Sequence, residues 1–346
     1  MILDKFIGVF SNDMAIDLGT ANTIVSVKGK GIIINEPSVV AVQRDRQGKD
    51  KILAVGQEAK RMLGKTPINI QAVRPMQDGV IADFEMTERM IRYFIEKAHS
   101  RKSFIRPRVI ICIPYGITQV ERKAVEESAL SAGAREVFLV EEPMAAAIGA
   151  GIPVSDPEGH VVVDIGGGTT EIGVTSLGGL VLCKSVKVGG DKIDRSIIEY
   201  VRQNYNLFIG ERTAETVKIA VGAAIKLDPE LKIQIKGKDH SGYLSTIELG
   251  SEGIRIAIKE PLKEIASAIR SVLENMPPDL AGDVVDNGII ITGGGALIRG
   301  LDKYLTEIVK IPVRIADEPL LSVAYGTSQV LDEPGLLKII EDMKNS

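Results

Sequence analysis

Basic surplus, cysteine and histidine are all scarce in this 346-residue chain. Lys+Arg number 42 against 46 Asp+Glu, a formal net charge of −4. A general nucleic-acid binder usually carries a basic surplus, so that class is disfavoured. There are two cysteines, Cys112 and Cys183, each inside an apolar run. Two cannot build a disulfide framework, and no close Cys/His cluster suggests zinc. Low cysteine use fits a reducing cytosol. His99, His160 and His240 are the only histidines, which argues against a His-based triad or metal centre. The longest apolar runs, such as Val109–Ile113, fall far short of the ~18 residues needed to span a bilayer. The start, Met1-Ile-Leu-Asp-Lys5, lacks a basic n-region and a following cleavage site, against a secretory signal. No Ser/Gly linker, charge block or low-complexity tract interrupts the sequence.

What is present describes a globular chain. Apolar residues make up 45% and charged residues 25%, as in ordinary soluble proteins. At about 150 residues per domain the length suggests two domains. Strand-like and helix-like stretches alternate throughout, which indicates an α/β protein. Met86, Met90, Ile91, Phe94, Ile95 and Ala98 repeat at helical spacing. Thr118-Gln-Val-Glu121 is a capping box opening a helix that closes near Gly133. Pro143 suits the first turn of a helix through Met144-Ala-Ala-Ala147. Leu262, Ile265, Ala266, Ile269, Val272 and Leu273 line another helix, stopped by Pro277-Pro278. These stripes read as core.

Glycine is abundant, 35 residues, and clusters directly after short apolar runs. One internal repeat contains much of this pattern. Met14-Ala-Ile-Asp17-Leu-Gly-Thr-Ala-Asn-Thr23 is echoed by Val161-Val-Val-Asp164-Ile-Gly-Gly-Gly-Thr-Thr170. Each copy is an apolar strand, an Asp, a small-residue turn and a second strand, Ile24–Val27 or Ile172–Thr175. A third apolar run follows each, Ile32–Ile34 and Leu180–Leu182. Two similar domains explain this.

A Gly-rich turn can bind phosphate because its backbone N–H groups can converge on the anion. Rossmann and P-loop turns lead into a helix. Here the turn leads into a strand, and no Gly-Lys-Ser/Thr is present, so both classes are disfavoured. An Asp beside such a turn can hold Mg²⁺ through water, since Mg²⁺ keeps much of its hydration shell. One copy alone reads as a plain Asx-type turn; two copies in register favour phosphate. A third cluster, Gly293-Gly-Gly295, follows the buried-strand pattern Gly288-Ile-Ile-Ile-Thr292 and leads into a helix, whose N-terminus favours an anion or close backbone approach.

Asp17-Leu-Gly-Thr, Asp164-Ile-Gly-Gly-Gly-Thr and Thr292-Gly-Gly-Gly resemble, in order and spacing, the two phosphate motifs and the adenosine motif of the actin-like ATPase superfamily. Within it the chain resembles the MreB family of bacterial actins. Ser11-Asn-Asp, Ala15–Thr23, Gly29-Lys-Gly31, Asn35–Ala41, Arg74-Pro-Met, Asp78–Phe84 and Glu142–Gly149 carry that likeness, which runs from about residue 1 to 335. It implies an actin-like ATPase fold of class α/β. Two similar domains, each a mixed sheet flanked by helices, hold a nucleotide cleft between them. Domain I is expected over 1–143 plus 324–346, with a small subdomain near 33–66. Domain II is expected over 144–323, with a small subdomain near 190–243.

The resemblance also implies roles. Gly19, Thr20, Ala21, Asn22 and Thr23 meet the phosphates of ATP from domain I, and Gly166, Gly167, Gly168 and Thr169 from domain II. Asp17 and Asp164 hold Mg²⁺ through water. Gly293, Gly294, Gly295 and Ala296 lie against the adenosine. Glu215 and Lys218 match a Glu-x-x-Lys pair that contacts ribose and adenine; on spacing alone they read as a solvated ion pair. Glu142 orients the attacking water and Thr169 assists it. The neighbouring Glu141 is the alternative for Glu142, whose other reading is a carboxylate at a helix N-terminus. Ile2, Leu3, Phe6, Ile7 and Phe10 share one helical face and, by the resemblance, bind the inner face of the cytoplasmic membrane. Phe104 and Ile105, set among Arg101, Lys102, Arg106 and Arg108, form a second membrane contact. Both groups also read as core. The implied function is a cytoplasmic, membrane-associated cytoskeletal ATPase. It assembles with itself into filaments, works with membrane proteins of the wall-elongation machinery and sets rod shape, with no nucleic-acid partner. The alternative is a small-molecule kinase of the same fold.

Overall fold

In the computed structural model, which describes residues 12–44, 50–77, 79–99 and 106–344, the chain divides into two units. These are residues 1–155 with 321–346, and residues 156–320. The division therefore falls later than the 143/144 boundary read from the sequence, and at 320/321 rather than 323/324. The physical reason is the helix Glu142–Gly149, which packs on the helix Ser322–Asp332 within the first unit. A Cβ added at Gly149 would lie 1.8 Å from the Ser322 carbonyl oxygen, and one at Gly326 would lie 1.8 Å from the Ala145 carbonyl oxygen. Only glycine on both sides permits so close a crossing.

The first unit is built on strands β1 (Met14–Leu18), β2 (Asn22–Val27) and β3 (Gly31–Pro37). A smaller three-stranded sheet follows, β4 (Val40–Arg44), β5 (Asp50–Val55) and β6 (Ile70–Val73), with the helix Gln57–Met62. It starts later than the expected 33–66, because β3 pairs with β2 in the main sheet. The short hairpin β7 (Met76–Gln77) and β8 (Val80–Ile81) leads to the helix Phe84–Ala98. Strands β9 (Arg108–Ile113) and β10 (Glu136–Glu141) complete a five-stranded sheet of order β10-β9-β1-β2-β3. β1 runs antiparallel to β2 and parallel to β9. The continuous apolar run Val109–Ile113 is fully buried, as an inner strand requires.

The helix Phe84–Ala98 is N-capped by Asp83, whose carboxylate accepts from Met86 N at 3.0 Å. The capping box at Thr118 and Glu121 forms as read and opens the helix Gln119–Ser131. Met90, Ile91, Phe94 and Ile95 pack with Ile111, Val125 and Ala129 in one core. Each such buried side chain contributes about 1.5–3 kcal/mol relative to exposure.

The second unit repeats the plan. Its strands are β11 (His160–Ile165), β12 (Thr170–Ser176), β13 (Gly179–Val186), β14 (Leu207–Phe208), β15 (Lys232–Asp239), β16 (Leu244–Gly250), β17 (Ile289–Thr292) and β18 (Val313–Ile315). The main sheet has the order β13-β12-β11-β17-β18, with β11 antiparallel to β12 and parallel to β17. Strand for strand this is the arrangement of the first unit. β14, β15 and β16 form a separate small sheet, so the insertion extends to Gly250 rather than 243. The helix Gly190–Tyr205, expected inside that insertion, instead buries Ile193, Ile197 and Val201 in the main core. Pro277-Pro278 ends one helix at Glu274 and also starts the next, Pro278–Asn287, with Pro278 at its first position, where the missing N–H has no partner to lose. Ile2, Leu3, Phe6, Ile7, Phe10, Phe104 and Ile105 lie outside the described residues. Among the described residues no helix is long and apolar enough to cross a membrane.

Candidate functional site

Asp17 and Asp164 occupy the same place in their two sheets. Asp17 pairs with Ile24 on β2 and Cys112 on β9. Asp164 pairs with Glu171 on β12 and Thr292 on β17. Each stands near the carboxyl end of its strand, one residue before a turn that doubles back into an antiparallel strand. The repeat seen in the sequence is therefore a repeat in space within each unit.

In the first unit the turn is Gly19-Thr20-Ala21, with Asn22 and Thr23 opening β2. A Cβ at Gly19 would lie 2.7 Å from the Asn22 carbonyl oxygen, so the turn needs glycine there. Ser38, which the sequence reading did not single out, fastens it. Its hydroxyl donates to Gly19 O at 2.6 Å and its backbone N–H donates to Ala21 O at 3.0 Å. With that proton in use, Thr23 is the donor in the 2.9 Å contact between the two hydroxyls. Ser38 and Thr23 are both fully buried.

The second turn is tighter. Gly166 N donates to Thr169 O at 2.9 Å. Its outer carbonyls are taken by a helix N-terminus: Gly190 N donates to Gly166 O at 3.0 Å and Asp191 N to Gly167 O at 2.8 Å. Thr170 Oγ1 ties the start of β12 to Val188 O at 2.6 Å. A trans peptide points its C=O and the following N–H in opposite directions. Carbonyls fixed to the protein at Gly19, Gly166 and Gly167 therefore turn the N–H groups of Thr20, Gly167 and Gly168 away from those donors. That is the orientation an anion-binding turn uses.

Asp164 is 5% exposed and accepts from Thr292 Oγ1 at 2.8 Å. Burial pushes its carboxyl up to about 6, against which the Thr292 hydrogen bond acts. An ionised carboxylate held here is destabilised, and a nearby cation offsets that. Among the described residues no group of three or more His, Cys, Asp or Glu could hold a metal. Single carboxylates acting through water are the remaining way to bind one, which is how Mg²⁺ is usually held.

The glycine cluster after β17 is partly explained by packing. A Cβ at Gly293 would lie 2.4 Å from Ile165 O, and one at Gly295 would lie 2.1 Å from Ile165 Cγ2. Gly295 and Ala296 are buried and Gly294 is exposed. The turn enters a short 3-10 helix, Gly294–Leu297, and only at Leu301 an α-helix. Close backbone approach is thus the feature seen here rather than a long helix aimed at a ligand.

Glu215 and Lys218 lie on the helix Glu211–Val221. Lys218 is not a solvated partner of its own helix. Its Nζ donates to Asp194 Oδ2 at 2.9 Å and to Gly190 O at 3.1 Å. Asp194 was not found from the sequence, though a signal existed: it sits on the apolar stripe with Ile193, Ile197 and Val201.

In the glutamate doublet the two side chains differ sharply. Glu141 caps the end of β10 and is held by Arg122 Nη2 at 3.0 Å. Glu142 is the first residue of its helix, not the residue before it, and is 9% exposed. Thr169 is 6% exposed.

Comparison with known proteins agrees with this architecture. Residues 11–339 match the family model of the MreB/Mbl protein. The chain is 55% identical over 335 residues to the cell shape-determining protein MreB of Escherichia coli (strain K12), covering 96% of each. It is 50% identical over 325 residues to the cell shape-determining protein Mbl of Bacillus subtilis (strain 168), covering 94% of this chain and 97% of that one. Its structure is similar to MreB5 of Spiroplasma citri bound to AMPPNP, with TM-score 0.88, 39% identity and coverage of 95% and 98%. A MamK double helical filament, 22% identical with TM-score 0.78, shares the fold. With a family model and relatives of this identity spanning nearly its whole length, the chain belongs to the MreB/Mbl family.

Proposed function

We propose that this chain is a cytoskeletal ATPase of cell-shape determination. It binds ATP with Mg²⁺, hydrolyses it slowly, and assembles with itself into filaments at the inner face of the cytoplasmic membrane, where it organises wall synthesis. The observation that carries the reading is the paired turn. Two sheets of identical strand order each place one Asp beside a small-residue turn whose carbonyls are tied back to protein. Membership of the MreB/Mbl family supports the cytoskeletal role, and nucleotide-bound relatives support the ligand.

In this reading Gly19–Thr23 and Gly166–Thr169 take the phosphates. Asp17 and Asp164 hold Mg²⁺ through water, and Gly293–Ala296 meet the adenosine. Bound Mg²⁺ supplies charge neutralisation at the phosphates. Phosphoryl transfer to water otherwise needs positioning above all. Glu142 is suited to position the water because it is buried on the rigid first turn of a helix, while Arg122 engages Glu141. Thr169 assists from the second turn. A small-molecule kinase of the same fold is disfavoured by the family to which the chain belongs.

The test uses the full chain with ATP, Mg²⁺ and liposomes. Calorimetry detects Mg-ATP binding, a phosphate assay detects turnover, and sedimentation detects polymer above a threshold concentration. A protein that binds no adenine nucleotide, or stays monomeric at every concentration with and without lipid, overturns the proposal.

A further inference from the structure

The phosphate turn of the second unit and the helix carrying Glu215 and Lys218 are joined through a single ammonium group. Lys218 Nζ donates to Asp194 Oδ2 and to the carbonyl of Gly190. Gly190 in turn donates its N–H to Gly166 O, and Asp191 its N–H to Gly167 O. The chain of contacts runs Asp194, Lys218, Gly190, Gly166. Each link is within hydrogen-bonding distance and all lie in one unit.

The local packing leaves little slack. A Cβ at Gly189 would lie 2.6 Å from Gly167 O and 2.7 Å from Gly166 O. A Cβ at Gly190 would lie 3.1 Å from Lys218 Nζ. Side chains are therefore excluded where the helix start meets the turn. Asp194 is 7% exposed, and its other oxygen, Oδ1, is buried with no hydrogen-bond partner among the described residues. A buried carboxylate with one oxygen unsatisfied is destabilising unless its charge is matched. Burial raises its pKa to about 6 while Lys218 lowers it, with Glu215 and Asp191 adding to the rise. Core packing alone does not explain an Asp on an apolar stripe. A lysine has three N–H donors. Two are used by Asp194 and Gly190, which leaves one for a ligand.

We propose that Asp194 is a positioning residue of the nucleotide site: it holds the Lys218 ammonium on Gly190, so that the Lys218 helix and the Gly166–Gly168 turn act as one rigid piece with one lysine proton presented to the nucleotide. The inference rests on the nucleotide-binding reading above. It assigns Asp194 no contact with the nucleotide; its effect passes through Lys218.

A double-mutant cycle on nucleotide affinity tests this. The variants are Asp194→Asn, Lys218→Met and the two combined, in the full chain, titrated with Mg-ADP and Mg-ATP by calorimetry. Losing one charge-assisted contact should weaken binding by about ten-fold or more. Asp194→Asn and Lys218→Met should each show a loss of that order, and the double variant should be no weaker than Lys218→Met alone. The KM for ATP should rise in Asp194→Asn while kcat stays within roughly two-fold, the pattern of lost binding rather than lost chemistry. Additive losses in the double variant, or unchanged affinity in Asp194→Asn, overturn the proposal. If Asp194→Asn does not fold, Asp194→Glu is read in its place: it keeps the charge but displaces the ammonium, so affinity should fall, and fall no further once Lys218 is Met. A wild-type protein that binds no nucleotide defeats the nucleotide reading itself, an outcome separate from an Asp194 that proves independent of Lys218.

Discussion

Gly326→Ala should be among the most damaging single-methyl changes available in this chain. The new Cβ would lie 1.8 Å from Ala145 O and 2.8 Å from Gly149 N. Both are helix backbone atoms, so no side chain can rotate away. Ordinary contact begins near 3.4 Å, and the two helices must therefore separate by more than an ångström along their crossing. Overpacking typically costs about 1–3 kcal/mol and occasionally more; a forced backbone displacement belongs at the upper end, about 3 kcal/mol. For a unit of this size that lowers Tm by roughly 6–12 °C, at about 2–4 °C per kcal/mol. The displaced helix also carries Glu142 at its first position. A shift of this size in a positioning group can reduce turnover by about a hundred-fold. The control is Gly282→Ala in the helix Pro278–Asn287, where an added Cβ meets nothing within 4 Å. It should stabilise by about 0.4–1 kcal/mol through the unfolded chain. Both variants are followed by thermal melts and phosphate release. A Gly326→Ala protein that melts with wild type and keeps its turnover refutes the close crossing.

Three further outcomes follow from the site. Glu142→Ala should bind ATP normally yet release phosphate on the order of 10²–10⁴-fold more slowly, whereas Glu141→Ala should remain near wild type; the reverse result in the same assay would move the role to Glu141. Asp164→Asn should stabilise the nucleotide-free protein at about pH 7.5 and abolish tight Mg-ATP binding. The folded pKa of about 6 lies above the 3.8 of the unfolded chain, so the favourable contribution of Asp164 is complete below about pH 4 and lost as pH rises through about 6. That amounts to about 3 kcal/mol at about 1.36 kcal/mol per pKa unit, and equal melts of the two proteins at that pH would count against it. Deleting residues 2–10 together with Phe104→Ala and Ile105→Ala should reduce liposome co-sedimentation under polymerising conditions while leaving ATP binding intact; unchanged co-sedimentation would assign those residues to the core.

The sequence carried the fold where the signal was local. The duplicated Asp turns, the capping box at Thr118 and the stripe Met86–Ala98 are all read within a few residues, and each has its expected counterpart in the structure. What escaped was pairing at a distance. Ser38 reaches back 19 residues to Gly19, and Lys218 reaches 24 residues to Asp194. Neither spacing has a period, so neither could be read along the chain. Gly149 and Gly326 were legible only as small residues four positions after Ala145 and Ser322. Their meaning depends on two helices far apart in sequence meeting at those points. Pro277-Pro278 misled because a proline that stops one helix is equally suited to begin another. The small-sheet insertions were misplaced for a similar reason, since strand pairing decides to which sheet a run such as Gly31–Pro37 belongs.

The ties on the turn carbonyls have a consequence for exchange and timing. The amides of Ser38, Gly190 and Asp191 are already bonded to turn carbonyls without ligand, so their hydrogens should exchange slowly in the nucleotide-free protein. A turn ordered in advance spares the ligand the conformational entropy of arranging it, about 1–2 kcal/mol for each backbone residue. For the four residues Gly166–Thr169 that is roughly 4–8 kcal/mol that need not be taken from binding. Ser38→Ala would loosen Gly19, and its effect would then appear in the nucleotide on-rate and in faster amide exchange around Thr20, well before it appeared in the melting temperature.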